Sequence, residues 1–408
     1  MVFILQKSVL DKICSDVKTK QGKSSIQMQL RHLYIMHRLN YVRIFRKEEY
    51  LKGVAMSTEL LARLFGKGKD VKSVLSTLER FKFIVKVRGA KFNEYSSSYK
   101  LHESIAKEPV YQPDFCSSDS ALIRKLEEHN RTVKSFKEQL KILKDNVSVN
   151  ALGKKYLEQK YGIIQTDLNF AVEPHDFGLK AILDGNFYAK RPDIKSRVYT
   201  NLTSLPRNHR KYIEIKSKPM LMTDISNSQI LLTVPLLHKY WAKKSGIGLI
   251  SLPDDINAFQ KLAESGLFYE AMSTCIGLKL NNADERSDFK KKVFQEIWFS
   301  KNSKRMTAIK RAFKYQFPTV FNIICKLKED KHNEFAIKLQ QFEASILVDK
   351  VWKKMYKLGA TVLTLHDAIV CSNIADLELA EKLIRDELAN YRIEPKFKRE
   401  CEYYNLAA

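Results

Sequence analysis

The chain has 408 residues and carries 71 Lys+Arg against 46 Asp+Glu, a formal charge of +25. Charged residues make up 29%, and no apolar run approaches the roughly 18 residues of a spanning helix, which excludes a helical membrane protein. Fourteen Gly and ten Pro exclude a collagenous or long low-complexity chain, and hydrophobics at 44% supply ample core. At roughly 100–200 residues per domain, the length predicts two or three domains.

The opening MVFILQKSVLDKICSD lacks a basic leader and a small-residue cleavage site, so it predicts the first helix of a cytoplasmic protein. Cys14, Cys116, Cys275, Cys325, Cys371 and Cys401 are scattered, with no CxxC or Cys/His spacing. That pattern predicts reduced thiols and no structural zinc. The positive excess points to a polyanionic partner, nucleic acid before any other. No basic amphipathic anchor stands out for a membrane surface.

Residues 1–105 read as a helical region followed by a winged helix-turn-helix. STELLARLFG (57–66) has helical apolar spacing, and Asp70 is placed to cap a second helix with Val71, Val74, Leu75, Leu78 and Phe81 on one stripe. FIVKVRGAKFNEYSSSYKLH (83–102) then alternates in period two about a turn near Gly89, as a β-hairpin does. Lys72, Arg80, Lys86, Arg88 and Lys91 decorate the second helix and the hairpin, where phosphates would be met. Residues 106–190 read as a connector: a proline-containing linker, then a basic helix over 118–147 with Leu122, Leu126, Val133, Phe136, Leu140 and Leu143.

From about residue 190 onward, helices alternate with short apolar strands, predicting an α+β domain over 191–408. In KYIEIKSKPMLMTDISNSQILLTV a strand runs to Asp224, and Ser226 or Asn227 can cap the next helix. GATVLTLHDAIVCS (359–372) reads as strand, turn, strand, with Asp367 at the apex. An acid in so apolar a run is costly unless paired or bound to a metal. Two such carboxylates on neighbouring strands would be reconciled by divalent cations, the arrangement that two-metal phosphoryl transfer needs. Between them, Arg286, Lys290, Phe294 and Trp298 recur every four residues, so on a regular helix they share one slowly drifting stripe. Cations suit a triphosphate, and rings suit a base and sugar.

The order strand-Asp, Arg-x3-Lys-x3-Phe helix, His-Asp hairpin resembles motifs A, B and C of the family A DNA polymerases and their relatives, the single-subunit bacteriophage RNA polymerases. The resemblance covers about residues 190–400. It implies a right-hand polymerase with an antiparallel palm sheet and small helical fingers, preceded by the winged helix and a thumb-like connector. It also implies two Mg²⁺ ions, with Mn²⁺ as a substitute, held by Asp224, Asp367 and the Ile225 carbonyl. Arg286 and Lys290 would bind the triphosphate, Phe294 and Trp298 would lie beside the nucleotide, and Lys290 would assist catalysis. Gln340 or Gln341, in a helix resembling the family's Gln-bearing helix, would touch the primer–template, as would Arg197, Tyr199 and Arg210 in SRVYTNLTSLPRNHRKY and His366 in the hairpin. Gln229 stands where the DNA polymerases keep a Glu against the 2′-hydroxyl, which favours deoxynucleotides. The chain departs from the family at Ala368, where an acid often stands, and at Phe299, where a Gly is usual.

The expected partners are primed template DNA, with RNA as the alternative template, and nucleoside triphosphates. A winged helix fused to a small polymerase suits a phage or mobile element replicating itself. Two alternatives stay open: a primer-independent RNA polymerase or primase, and a non-catalytic winged-helix replication initiator or regulator.

Overall fold

A computed structural model describes residues 3–17, 25–45, 47–65, 68–90, 96–111, 122, 136–162, 172–246, 252–302, 306–329 and 333–401. Helices and small antiparallel sheets are combined throughout, an α+β architecture. Among the described residues no helix is long and apolar enough to cross a membrane. The chain forms two compact units: Met1–Ser135, Ser148–Tyr188 and Ser204–Ile213 make the first, and Phe136–Val147, Ala189–Thr203 and Glu214–Ala408 the second. Each draws on separated stretches, so the segments 1–105, 106–190 and 191–408 do not map onto them one to one.

In the first unit, Phe3–Leu5 are buried ahead of helix α1 (Lys7–Asp16), which therefore begins later than the sequence suggests. Helix α2 (Ile26–Phe45) is buried on most sides, with Leu30, Leu33, Ile35, Met36 and Leu39 in the core. A helix so enclosed must satisfy its polar side chains internally. Buried Asn40 does so by exchanging two hydrogen bonds of 2.9 Å with Gln6.

Strand β1 (Val54–Ala55), not expected from the sequence, comes next, and helices α3 (Thr58–Phe65) and α4 (Gly68–Arg80) and strands β2 (Ile84–Arg88) and β3 (Ser98–Leu101) follow in the expected order. The sheet runs β1-β3-β2 and is antiparallel, with Ile84 opposite Leu101. Val71, Val74, Leu75 and Leu78 are buried as their spacing requires. Asp70 is not a cap: α4 starts at Gly68, and the Asp70 carboxylate, inside the first turn, pairs with Arg31 at 2.8 Å. Only Ile84 of β2 is buried, so that strand is exposed from Val85 onward, whereas Ser98, Tyr99 and Leu101 of β3 are buried.

Helix α5 (Ala151–Tyr161) is capped by Asn150, whose side chain accepts from the Gly153 N–H at 2.8 Å. A Cβ on Gly153 would stand 2.7 Å from the Tyr212 Cβ, so that backbone approach admits only glycine.

The second unit is built round a four-stranded antiparallel sheet. The short strands β4 (Ala189–Lys190) and β5 (Tyr199–Thr200) pair to one another. The long strand expected up to Asp224 is broken: Lys216 and Ser217 turn the chain at φ of 52° and 55°, and β6 is Leu221–Ile225. Strands β7 (Leu363–Leu365), β8 (Ala368–Cys371) and β9 (Phe397–Cys401) complete the order β7-β8-β6-β9. Thr223 and Arg399, opposite one another in β6 and β9, both bond Glu381 of the helix Ile374–Ala389, which fixes the face turned to that helix. Side chains alternate along a strand, so Asp224 occupies the other face.

The C-terminal end of the predicted 118–147 helix is a helix over Lys137–Asn146. Its Gln139 is buried and donates to the Thr364 hydroxyl at 3.0 Å, and Phe136 packs on the Trp352 ring. This end is therefore core, joined to the sheet. Leu126 and Val133 lie outside the described residues, as does Lys91.

Candidate active site

The register of β8 against β6 sets Ala368 opposite Asp224. Asp367, one residue earlier in the two-residue turn His366–Asp367, thus starts from the position diagonal to Asp224. Two carboxylates 143 positions apart (367 − 224) become near neighbours on one sheet. The Asp367 Oδ2 accepts from the Ser228 hydroxyl at 2.8 Å. Burial first, and the Asp367 charge second, push the Asp224 carboxyl up to about 8. Its Oδ1 is buried without a hydrogen-bond partner.

Backbone strain gathers at the same place. Asn227 and His366 adopt φ of 55° and 56°, a left-handed conformation costing an L residue roughly 1–2 kcal/mol. Asn227 stands at the N-cap position of α6 (Ser228–Leu231), but its side chain makes no capping bond, contrary to expectation. Its Nδ2 is buried and unpartnered. Strain of this kind persists where surrounding structure enforces it, often at ligand sites.

A cleft of about 340 Å³ opens here, lined by Arg197, Gln229, Lys290, Phe294, His366 and Asp367, together with Asn227, Ser228, Tyr269 and Phe299. Of these, Tyr269 was not expected from the sequence. It lies in α7 (Phe268–Cys275), fully buried, with the Arg286 guanidinium 5.3 Å and the Lys290 ammonium 5.9 Å from its ring centre. Its hydroxyl has no partner, and burial holds it above the usual phenol range, so it remains a donor at neutral pH. Unsatisfied buried polar atoms are rare in folded proteins. Here Asn227 and Tyr269, both lining the cleft, supply one each, which calls for a polar occupant; Asp224, with a third, is not itself in the cleft wall but lies next to Asp367, which is.

Arg286 and Lys290 lie on α8 (Ala283–Val293). Lys290 reaches the cleft wall, whereas Arg286 is ion-paired to Glu270. The four-residue stripe then breaks. Phe294–Trp298 is a π-helical turn, closed by the Phe299 N–H on the Phe294 carbonyl at 2.8 Å. The extra residue in that turn rotates the side chains beyond Phe294 away from the stripe. Trp298 is driven fully into the core, its indole N–H donating to the Thr233 hydroxyl at 3.1 Å among Phe268 and Phe313. Phe299 takes the place assigned to Trp298: it lines the cleft and stacks on Phe294 with centroids 5.4 Å apart.

Arg197 holds a second residue that the sequence did not single out. Its guanidinium makes paired 2.7 Å hydrogen bonds to Glu343, which is 1% exposed in the helix Glu334–Ile346. Burial pushes Glu343 up to about 7 against the pull of Arg197. Leu339, Glu343 and Ile346 are buried together, so an acid on an apolar i, i+4, i+7 stripe was the signal available. Gln340 and Gln341 are half-buried on that helix and are not part of the cleft wall. Tyr199 is exposed on β5, Ile225 closes β6 opposite Phe397, and Arg210 falls in the first unit.

In the first unit Lys72, Arg80, Lys86 and Arg88 are all exposed. A His175–Asp176–His209 cluster with metal-ligand proximity also lies there. The buried Asp176 already accepts from Lys160 at 2.7 Å, Tyr156 at 2.9 Å, Tyr161 at 2.5 Å and His209 at 3.1 Å, so the protein itself neutralises that carboxylate. No protein-family model matches the chain, and no curated protein matches it.

Proposed function

We propose that the chain is a template-directed nucleotidyltransferase, a DNA polymerase adding nucleotides to a 3′-hydroxyl, with the β7-β8-β6-β9 sheet as its palm and the helices carrying Arg286 and Lys290 as its fingers. The observation that carries this reading is the pair of Asp224, on β6, and Asp367, in the turn that leads into the adjacent strand β8, one with a buried unsatisfied oxygen and a carboxyl pushed up to about 8. Such a pair is electrostatically incomplete, and its donors are all oxygen, which suits a hard divalent cation. Asp224 and Asp367 would hold Mg²⁺, with the Ile225 carbonyl as a further oxygen, and the metal would supply activation of the attacking oxygen and stabilisation of the leaving one.

The remaining roles belong to the chain's own side chains. Lys290 offsets triphosphate charge as it develops on the leaving group. Phe294 and Phe299 form an aromatic wall for base and sugar. The Tyr269 hydroxyl donates to the occupant, and Gln229 brings bulk beside the sugar, which supports deoxynucleotides. Arg197, oriented by Glu343, presents a fixed cation to the nucleic-acid backbone. In the first unit, helix, helix and hairpin with exposed Lys72, Arg80, Lys86 and Arg88 suit a winged helix resting on phosphates.

Primer extension with Mg²⁺ tests the reaction. Asp367→Asn is expected to reduce the rate about 10³-fold, roughly 4 kcal/mol of transition-state stabilisation, with little change in template affinity. Near-native extension by that variant removes the mechanism. Template binding indifferent to both aspartates and to Mg²⁺, without extension by the native protein, supports a non-catalytic DNA-binding role. Ribonucleotide use by Gln229→Gly but not by the native chain assigns sugar selection to Gln229; efficient native ribonucleotide use makes the chain an RNA polymerase or primase.

A further inference from the structure

Tyr315 is 86% exposed, more than any other large apolar or aromatic side chain among the described residues. It lies at the end of the helix Ala308–Gln316, whose sequence AIKRAFKYQ contains Lys310, Arg311 and Lys314 and no acid. From Lys301 to Lys314 the chain carries six Lys or Arg and no Asp or Glu. Beside Tyr315 runs a groove of about 550 Å³, walled by Arg311, Ala312 and Gln316 on one side and Cys275 and Ile276 on the other. Arg311 bonds the Met306 carbonyl at 2.7 Å, which holds its guanidinium at the groove.

An aromatic ring held out in water beside a fixed guanidinium, over a concave surface, has the make-up of a single-strand stacking platform. The ring gives an unpaired base a π-face, and the guanidinium meets the backbone. α7 links the two sites: Tyr269, near its start, lines the cleft and Cys275, at its end, lines the groove. Six residues of helix span about 9 Å, which sets these two lining residues about that far apart along α7.

We propose that this groove, with Tyr315 as stacking ring and Arg311 as backbone clamp, binds the unpaired nucleic-acid template ahead of the cleft. The identity of the strand as template rests on the polymerase reading; the affinity for single-stranded nucleic acid does not.

Fluorescence anisotropy tests this without any need for turnover, using the full chain, a primer–template with a 5′ overhang and a blunt duplex. Tyr315→Ala is expected to weaken binding to the overhang substrate about tenfold and to leave the blunt duplex unchanged, while Tyr315→Trp restores the overhang affinity. Arg311→Ala is expected to lower the magnitude of the salt slope by about 0.7 on a single strand. The exposed Cys275 thiol gives an independent reading: an oligonucleotide should protect it from alkylation, measured by peptide mass spectrometry. Equal loss on both duplexes, no loss on either, or undiminished Cys275 labelling overturns the groove. So does a Tyr315→Ala variant whose main change is lost self-association in sedimentation, which makes the face a contact between copies. A native protein that cannot extend primers yet retains the Tyr315-dependent overhang preference supports the groove while removing the polymerase. An active polymerase lacking that preference removes only the groove.

Discussion

Asp224 carries a carboxyl whose ionisation the fold opposes. Because its folded value, pushed up to about 8, lies above the unfolded one, its contribution to stability is fully present below about pH 4. It is lost as pH rises through about 8. Glu343, pushed up to about 7, acts in the same direction. The metal-free protein should therefore melt at a lower temperature at pH 9 than at pH 5. Asp224→Asn removes the repelling charge and should raise the pH 9 melting temperature by roughly 2–4 °C, about 1 kcal/mol. At pH 5 the two proteins should coincide, since the native carboxyl is then neutral. Mg²⁺ should repair the native protein at pH 9 and leave the Asn variant unmoved. Thermal melts at both pH values, with and without Mg²⁺, check this; a variant that melts lower than the native chain at pH 9 contradicts it. The two aspartates stood out in the sequence because each interrupts an apolar run, Asp224 within β6 and Asp367 at the turn between β7 and β8. Tyr269 did not, since a buried aromatic in a helix looks like core until its place in the cleft wall and its unpartnered hydroxyl are seen.

At the scale of single elements, the π turn at Phe294–Trp298 decides which ring meets the cleft. Regular 3.6-residue geometry predicts Arg286, Lys290, Phe294 and Trp298 on one stripe, and that holds only as far as Phe294. One inserted residue turns Trp298 inward and gives its place to Phe299, and periodicity carries no mark of such an insertion. The hairpin Leu363–Cys371 was legible for the opposite reason: period-two apolar strands around a two-residue turn leave little choice of register. Opposite consequences are expected for the two rings. Trp298→Ala removes a fully buried indole and should cost about 3–5 kcal/mol of stability, seen as a large fall in melting temperature; on the proposed polymerase reading, the KM for nucleotide should change little in whatever remains folded. Phe299→Ala, at a 38% exposed ring, should leave the melting temperature within about 1 °C and raise the KM for nucleotide. Steady-state extension alongside thermal melts checks both; a raised KM in Trp298→Ala with unchanged melting would return that ring to the cleft.

Across the whole molecule the separated contributions to each unit explain why domain limits were hard to read. Hydropathy is a local signal, whereas Gln139 and Thr364, hydrogen-bonded in one core, are 225 residues apart. Net charge, by contrast, is a property of the whole chain and is legible at once. A surplus of +25 makes binding to polyphosphates salt-dependent, with a slope of about −0.9 in log K against log salt for each phosphate contact on duplex DNA. Lys72, Arg80, Lys86 and Arg88 are exposed along α4 and β2. If all four meet phosphates, their joint replacement by Ala should reduce the magnitude of that slope by about 3–4. It should weaken binding at low salt far more than at high salt, and the melting temperature should hold because none of the four is buried. On the proposed polymerase reading, Asp224→Asn and Asp367→Asn should leave the slope essentially as it is, since they would change the reaction and not the backbone contacts. Duplex affinities from about 50 to 300 mM salt, for the native chain and these three variants, separate the two roles. A slope untouched by the fourfold replacement would move the charge-bearing surface away from the hairpin, to the cations of the second unit.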